Sequence, residues 1–261
     1  MQILITIESL NALKDWFTVY VHTFQNSNPE IQQNIDMKEG HTMRVVKEIC
    51  TIGKQLGLND DEQRLAEIIG LLHDVGRFEQ YARYKTFNDK KSENHAELGI
   101  KILVKFDVLK LIDKPVREII LQAIKYHNQP SLPLGNTERW LFYAKLIRDA
   151  DKLDIWKVVI DYYYRTEAQR NGAIELDLPD TPGFSEEVYL DLISKRFVDM
   201  KNVRNLNDLK LLQVGWIFDI NFQATMDSIK ERGYLEMIRG VLPKSKKMDE
   251  IFNVVHSSLV N

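Results

Sequence analysis

The chain has 261 residues, of which 44% are hydrophobic, and this is enough to build one sizeable core. Its formal net charge of -3 is close to neutral and gives no strong indication of a nucleic-acid partner. A single cysteine excludes a disulfide framework and favours a cytoplasmic location, and no apolar stretch is long enough for a spanning helix, so no membrane partner is expected.

Apolar residues recur at every third or fourth position through most of the chain, which is typical of amphipathic helices and predicts an all-α fold. The predicted helices cover residues 9–24, residues 41–56 before a stop at Gly57, a segment from a cap at Asn59 or Asp60 to about Gly76, a segment after a cap within residues 92–94, a segment from Pro115 to before Pro130, and residues 138–165 after a cap at Asn136-Thr137. Only residues 1–7 could form a short extended segment.

A loop rich in glycine and proline is predicted over residues 171–185, and it is the clearest boundary in the sequence. We expect residues 1–170 to form a helical domain that carries the motifs described next. Residues 171–261 again have helical periodicity, and we expect them to be a helical extension packed on the same domain. Within this extension, Trp216, Phe218 and Phe222 follow helical spacing and fit either a core or the seam of a homodimer.

The segment Leu71-Leu72-His73-Asp74 places an imidazole and a carboxylate at the end of an apolar helix. Neither side chain is stable in a core without a partner, because a buried polar group that makes no hydrogen bond costs free energy. A divalent metal ion would satisfy both, since imidazole together with carboxylate suits Mn, Fe, Co, Ni or Zn. These two neighbouring residues therefore indicate a metal site.

Further candidate ligands lie on other predicted helices, namely His41, His95, His127 and Asp151. Metal sites in helical bundles are built from side chains of facing helices that converge on one point. A single histidine at a helix end is more often a surface or capping residue. The spacing alone leaves open whether these side chains meet.

The order of these motifs resembles that of the HD-domain superfamily of metal-dependent phosphohydrolases. The matching segments are Glu39-Gly40-His41-Thr42, Leu72-His73-Asp74-Val75-Gly76-Arg77, His95-Ala96-Glu97-Leu98-Gly99, Tyr126-His127-Asn128 and Ala150-Asp151-Lys152-Leu153. The resemblance covers residues 36–161, and the full ordered set is far more specific than its central His-Asp motif. It implies an HD-domain-like helical bundle, followed here by the C-terminal helical extension.

The resemblance also implies a ligand set and one or two divalent ions. The residues implied to hold one ion are His41, His73, Asp74 and Asp151. Asp74 could bridge to a second ion, with His95 and His127 as the ligands of that ion. In the alternative with one ion, these two histidines would face the phosphate of the substrate. The metal stays open among Mn, Fe, Ni, Co, Zn and Mg.

Asp149 is the alternative to Asp151 as a ligand from the last predicted helix of the domain. Side chains two residues apart on a helix point about 200° apart, so both cannot reach one ion. The apolar neighbours of the two residues do not decide between them. The position of Asp151 within Ala150-Asp151-Lys152 matches the family pattern, and we therefore choose Asp151.

The activity implied by the resemblance is hydrolysis of a nucleotide or another small phosphate ester through a metal-activated water, with Asp74 as a catalytic ligand. The negative phosphate needs cations near the metal. Arg77 is the best candidate for a catalytic and substrate-binding cation, because an arginine can grip a phosphate through two parallel hydrogen bonds. Arg44 and Lys152 are further substrate-binding candidates.

Departures from the family pattern disfavour two branches. The cyclic-dinucleotide phosphodiesterases have a Gly-Tyr-Pro segment where this chain has Asn128-Gln129-Pro130, and the alarmone hydrolases have a Glu-Asp pair where it has Gly76-Arg77-Phe78-Glu79. Two other functions stay open. A di-iron oxygenase uses the same ligand set, and a non-catalytic binding or regulatory module could keep the fold, although the intact ligand set disfavours the latter.

Overall fold

The computed structural model describes residues 3–133, 138–165 and 172–259, and in these stretches the chain forms helices and no β-strand. The predicted all-α fold is confirmed. The α-helices are α1 (Ile7–His22), α2 (Pro29–Gln55), α3 (Asp60–Leu72), α4 (Val75–Tyr84), α5 (His95–Lys105), α6 (Lys114–His127), α7 (Arg139–Tyr163), α8 (Gly172–Glu175), α9 (Glu186–Ile193), α10 (Leu206–Gly215), α11 (Gln223–Arg232), α12 (Tyr234–Gly240) and α13 (Lys246–Leu259). Among the described helices, none combines the length and apolar composition needed to cross a membrane.

Helix α2 begins at Pro29, so His41 lies well inside the helix. The sequence pattern had predicted that His41 lies at the helix start. The side chain of Asn28 caps this helix by accepting hydrogen bonds from backbone N–H groups of the first turn. The predicted start was wrong because the first turns bury few side chains, and regular apolar spacing becomes visible only further along.

The junction between α3 and α4 consists of His73 and Asp74. Helix α3 starts after a capping box at Asn59, as predicted, but it ends at Leu72 and not near Gly76. At Asp74 the backbone leaves helical geometry, with φ -108° and ψ 15°, and α4 begins at the next residue. The pattern missed this break because the apolar run continues across it.

Gly76 lies in the first turn of α4 and allows this helix to approach α5 closely. A Cβ atom at this position would overlap the carbonyl oxygen of His95 and would lie 2.6 Å from the backbone nitrogen of Gly99. Both of these are backbone atoms that cannot swing aside, so only glycine fits. The close approach brings the first residue of α5, His95, next to the junction that carries Asp74.

The other predicted helices of this region agree with the structure to within a few residues. Asn94 caps α5, and Pro115 lies in the first turn of α6, which ends at His127. The predicted cap of α7, Asn136-Thr137, lies outside the described residues. Residues 3–6 form no strand; the backbone of Ile5 is instead hydrogen-bonded to side chains of α3.

The chain divides into two compact units, Met1–Asp154 and Ile155–Asn261. In the first, α2 packs along α3 and α4 packs along α5, and in the second, α9 packs against α10 and α13. The division lies within α7, ahead of the loop predicted over residues 171–185, whose first residue lies outside the described part. The predicted two-part domain arrangement stays a prediction. All the predicted ligands lie in the first unit.

Candidate metal centre

Six side chains converge in the first unit, and they are the six that the sequence predicted as ligands. They come from α2 (His41), the α3–α4 junction (His73 and Asp74), α5 (His95), α6 (His127) and α7 (Asp151). Five of them are buried, and Asp151 is half-buried. The interiors of the two long helices α2 and α7 and the ends of shorter helices thus supply a compact set of nitrogen and oxygen atoms.

The first group of candidate ligands, named the first ligand group, consists of His41, His73 and Asp151 together with one oxygen of Asp74. The Nε2 atom of His41 lies 3.1 Å from Asp151 Oδ1 and 3.6 Å from Asp74 Oδ2. The Nε2 atom of His73 lies 3.7 Å from Asp74 Oδ2 and 3.8 Å from Asp151 Oδ1. These contacts favour Asp151 over Asp149 as the ligand from α7.

The second ligand group consists of His95 and His127 together with the other oxygen of Asp74. The Nε2 atoms of the two histidines lie 3.1 Å apart, and they lie 3.3 Å (His95) and 3.8 Å (His127) from Asp74 Oδ1. Asp74 is therefore shared, because its Oδ2 atom faces the first group and its Oδ1 atom faces the second.

Each of the four histidines directs its Nδ1 atom at a hydrogen-bond acceptor 2.7 Å away. For His41 and His95 the acceptor is an aspartate carboxylate, and for His73 and His127 it is a backbone carbonyl of the preceding helical turn. An acceptor at Nδ1 requires the proton to be on that nitrogen, which leaves Nε2 with a free lone pair. In its neutral form, each of the four histidines therefore offers the Nε2 lone pair to a cation.

Several atoms at the centre are buried and make no hydrogen bond, and these are His41 Nε2, His73 Nε2, Asp74 Oδ1 and Asp151 Oδ1. Native proteins rarely leave such atoms unsatisfied, because the cost is about 1–3 kcal/mol each. In the second group, two Nε2 lone pairs face each other across 3.1 Å, which is repulsive unless a cation or a proton lies between them. The donor atoms therefore fit divalent ions in chemistry and in arrangement.

Burial sets the protonation state of two of the ligand histidines. It is the main cause that lowers the pKa of His73 to about 4 and the pKa of His95 to about 3. Both are therefore neutral at pH 7, which is the form that binds metal. For His41, burial and Lys38 lower the pKa, but the adjacent carboxylates of Asp151 and Asp154 raise it above the ordinary value, so an ion would displace a proton there.

Lys38 is a residue of the centre that the sequence analysis missed. Its Nζ atom lies 2.7 Å from Asp74 Oδ2, and its side chain is 15% exposed. Burial opposes the ionisation of Asp74, but Lys38, ahead of the other neighbouring groups, holds the pKa of this carboxyl well below its ordinary value. The sequence could have indicated Lys38, because this residue precedes His41 by three positions and therefore lies on the same face of the helix.

Two aspartates that contact the ligand histidines were missed as well, Asp154 and Asp89. Asp154 lies three residues after Asp151 and therefore on the same face of α7, which is a signal that the sequence contains. Asp89 lies in a short 3-10 turn between α4 and α5, where no periodicity indicates the direction of a side chain.

The predicted substrate-binding cations lie near the centre. Arg44 and Arg77 direct their guanidinium groups at Asp154 and Asp89, respectively, and Lys152 is buried in α7. These contacts do not test whether the three residues bind substrate, and that role stays a prediction.

Residues 39–156 match the protein-family model described as HD domain. The matched segment contains all six converging side chains, as well as Asp89 and Asp154. No curated protein and no solved structure matches the chain.

Proposed function

The chain belongs to the HD-domain superfamily of metal-dependent hydrolases through residues 39–156, and we propose that it hydrolyses a nucleotide or another small phosphate ester with the help of divalent metal. One observation carries the proposal. Two groups of buried ligand atoms meet at the carboxylate of Asp74, and four of the atoms in these groups have no hydrogen-bond partner.

The donor atoms indicate the class of metal. Each ligand group offers two imidazole nitrogens and at least one carboxylate oxygen, a combination that suits Mn, Fe, Co, Ni or Zn better than Mg, which prefers oxygen ligands. Divalent ions held by these residues would supply a water molecule with a pKa of about 7 and would stabilise the charge that develops on a phosphoryl group.

Asp74 holds the two ligand groups in a fixed relation, because its two oxygens face different groups. The hydrogen bonds at the Nδ1 atoms fix the four imidazole rings before any ion binds, so no reorganisation of these side chains is needed. The surrounding helices bury the ligand atoms, and this strengthens electrostatic interactions with the substrate.

Lys38 is the cation that we propose for the substrate phosphate. Its ammonium group adjoins the shared carboxylate of Asp74, and part of its side chain is open to solvent. A flexible lysine can exchange one anionic partner for another, from a carboxylate oxygen to a phosphate oxygen. Arg77, Arg44 and Lys152 stay predicted contacts, but both arginines already bind carboxylates of the protein.

The test is phosphate release by metal-reconstituted protein. Chelator-treated protein would be loaded separately with Mn, Fe, Co, Ni, Zn and Mg and incubated with a panel of nucleotides and simple phosphate monoesters. We expect phosphate release that depends on metal and that is absent in the Asp74→Ala variant. Asp15→Ala is the matched control, because Asp15 is an exposed aspartate of α1.

Two results would contradict the proposal. One is equal phosphate release with and without metal, or in the Asp74→Ala variant. The other is oxygen consumption by iron-loaded protein with no phosphate release from any substrate, which would support the oxygenase alternative instead.

A further inference from the structure

We propose that Asp154 and Asp89 are positioning residues, each held by an arginine, and that each fixes one histidine of one ligand group. The first chain of contacts is Arg44–Asp154–His41, and the second is Arg77–Asp89–His95. The inference rests on the proposed metal-dependent function, because it assigns roles around the same ligand atoms. It gives Arg44 and Arg77 a role other than the predicted contact with substrate.

The first chain of contacts supports the first ligand group. The Oδ2 atom of Asp154 lies 2.7 Å from His41 Nδ1. Arg44 donates to both oxygens of the same carboxylate, with Nε 2.6 Å from Oδ1 and Nη2 3.1 Å from Oδ2. Such a two-point contact fixes the plane of the carboxylate, and the carboxylate in turn fixes the plane of the imidazole.

Gly40 provides space for this arginine. A Cβ atom at position 40 would lie only 3.1 Å from Nη1 of Arg44, so the guanidinium group folds back over the helix at a position without a side chain. The spacing of His41 and Arg44 places both side chains on the same face of α2, and Gly40 leaves room there for the guanidinium group.

The second chain of contacts supports the second ligand group. The Oδ2 atom of Asp89 lies 2.7 Å from His95 Nδ1. Its Oδ1 atom accepts hydrogen bonds from Arg77 Nη1 at 2.9 Å and from Gln80 Nε2 at 2.8 Å. Arg77 also donates to the carbonyl oxygen of Phe87 at 2.6 Å, so it ties the irregular segment that carries Asp89 to α4.

The two remaining ligand histidines need no such support. His73 and His127 donate to the backbone carbonyls of Gly70 and Ile124, which belong to the helical turns just before them. Each ligand group therefore contains one imidazole fixed by its own helix and one fixed by an Arg–Asp contact. Because Asp154 and Asp89 contact different groups, a change at either should weaken the binding of one ion and leave the other ion unaffected.

The experiment is a metal-binding titration of the 261-residue chain, with calorimetry and bound-metal analysis as readouts. Two reference variants, His41→Ala and His95→Ala, each leave one ligand group intact. In the His95→Ala background, Asp154→Asn should lower the affinity for the remaining ion about 10- to 100-fold, and Asp89→Asn should leave this affinity unchanged. In the His41→Ala background, Asp89→Asn should lower the affinity for the remaining ion, and Asp154→Asn should leave it unchanged.

Arg44→Gln and Arg77→Gln extend the test if an aspartate variant fails to fold. Arg44 has a side chain that is 40% exposed, so the protein should tolerate its replacement. Each arginine variant should weaken the same ion as the aspartate that it holds, by less than the aspartate change does. Circular dichroism of every variant would check that the helices are retained.

Different failures have different meanings. If the wild type binds two ions but Asp154→Asn and Asp89→Asn weaken both equally, or weaken neither, the positioning roles are overturned and the proposed function stands. If the wild type binds one ion, the assignment of separate ions to the two groups is overturned. If the wild type binds no divalent ion at all, the inference and the proposed function both fail.

Discussion

Each compact unit of the molecule buries an aspartate at the end of a helix, and the two aspartates have opposite surroundings. In the second unit, Asp208 is fully buried and accepts hydrogen bonds from Ser185 N at 2.7 Å, Ser185 Oγ at 2.6 Å and Arg204 N at 2.9 Å. In the first unit, Asp74 is also buried, yet its Oδ1 atom has no hydrogen-bond donor and faces imidazole lone pairs.

The difference separates a structural carboxylate from a functional one. The donors around Asp208 belong to the protein, so this residue joins the loop before α9 to the start of α10 and needs nothing more. Lys38 donates to one oxygen of Asp74, but the groups that face the other oxygen include imidazole nitrogens that can only accept, and a bound cation would satisfy these atoms. A buried carboxylate does not by itself identify a functional site. A buried carboxylate oxygen that has no hydrogen-bond donor and lies among other potential ligand atoms does.

The largest expected effect is that of Asp74→Ala on catalysis. Removing the carboxylate shared by both ligand groups should abolish metal retention and lower phosphate release by about a thousandfold or more, since several kcal/mol of transition-state stabilisation would be lost. The measurement is turnover and bound metal per folded chain. Asp208→Ala should leave both quantities unchanged, and a loss of bound metal in that variant would remove the contrast between the two aspartates.

The next effect is that of Asp208→Ala on stability. Three donors would lose their acceptor in a buried place, and we expect the free energy of unfolding to fall by about 3 kcal/mol. Urea unfolding followed by circular dichroism measures this change. An unchanged urea midpoint would show that the hydrogen bonds of Asp208 contribute nothing net, and the proposed structural role would then be wrong.

A third effect concerns the response of stability to metal. A divalent ion that binds only the folded state should stabilise the wild type by about 2.7 kcal/mol at a hundred times its dissociation constant. A chelator should reverse this gain. Thermal unfolding with and without metal should show the gain in wild type and in Asp208→Ala, and no gain in Asp74→Ala; equal gains in all three would place the ion elsewhere.

The smallest effect is that of Lys38→Met. Its ammonium group competes with metal for Asp74 Oδ2, and this competition is worth on the order of 1 kcal/mol in a partly exposed site. Metal affinity should therefore rise about fivefold, whereas the KM for a phosphate ester should rise because a phosphate contact is lost. Lys47→Met on the exposed side of α2 is the control. Unchanged metal affinity and KM would exclude Lys38 from the centre.

The sequence was informative where local chemistry determines structure. The capping residues Asn59 and Asn94, and Pro115 in a first helical turn, act on their own neighbours, so their helix starts could be predicted to within a residue or two. The break after α3 could not be predicted, because the apolar pattern continues through it. The close contact of Gly76 with α5 is a tertiary contact, which the local sequence does not reveal.

The residues of the candidate site also differ in whether the sequence could reveal them. His73 and Asp74 stand out because they are adjacent and interrupt an apolar run. The contact of His41 with Asp154 joins residues 113 positions apart, and only the packing of α2 against α7 reveals it. Asp89 lies in an irregular segment whose direction is set by Arg77, so no pattern in the sequence could indicate that it reaches His95.

Anomalous X-ray diffraction from crystals of the wild-type protein grown with Mn would show directly whether the six converging side chains hold divalent ions. We expect one anomalous peak among His41, His73, Asp74 and Asp151 and a second among Asp74, His95 and His127. Well-ordered side chains with no anomalous peak among them would show that this cluster is not a metal centre.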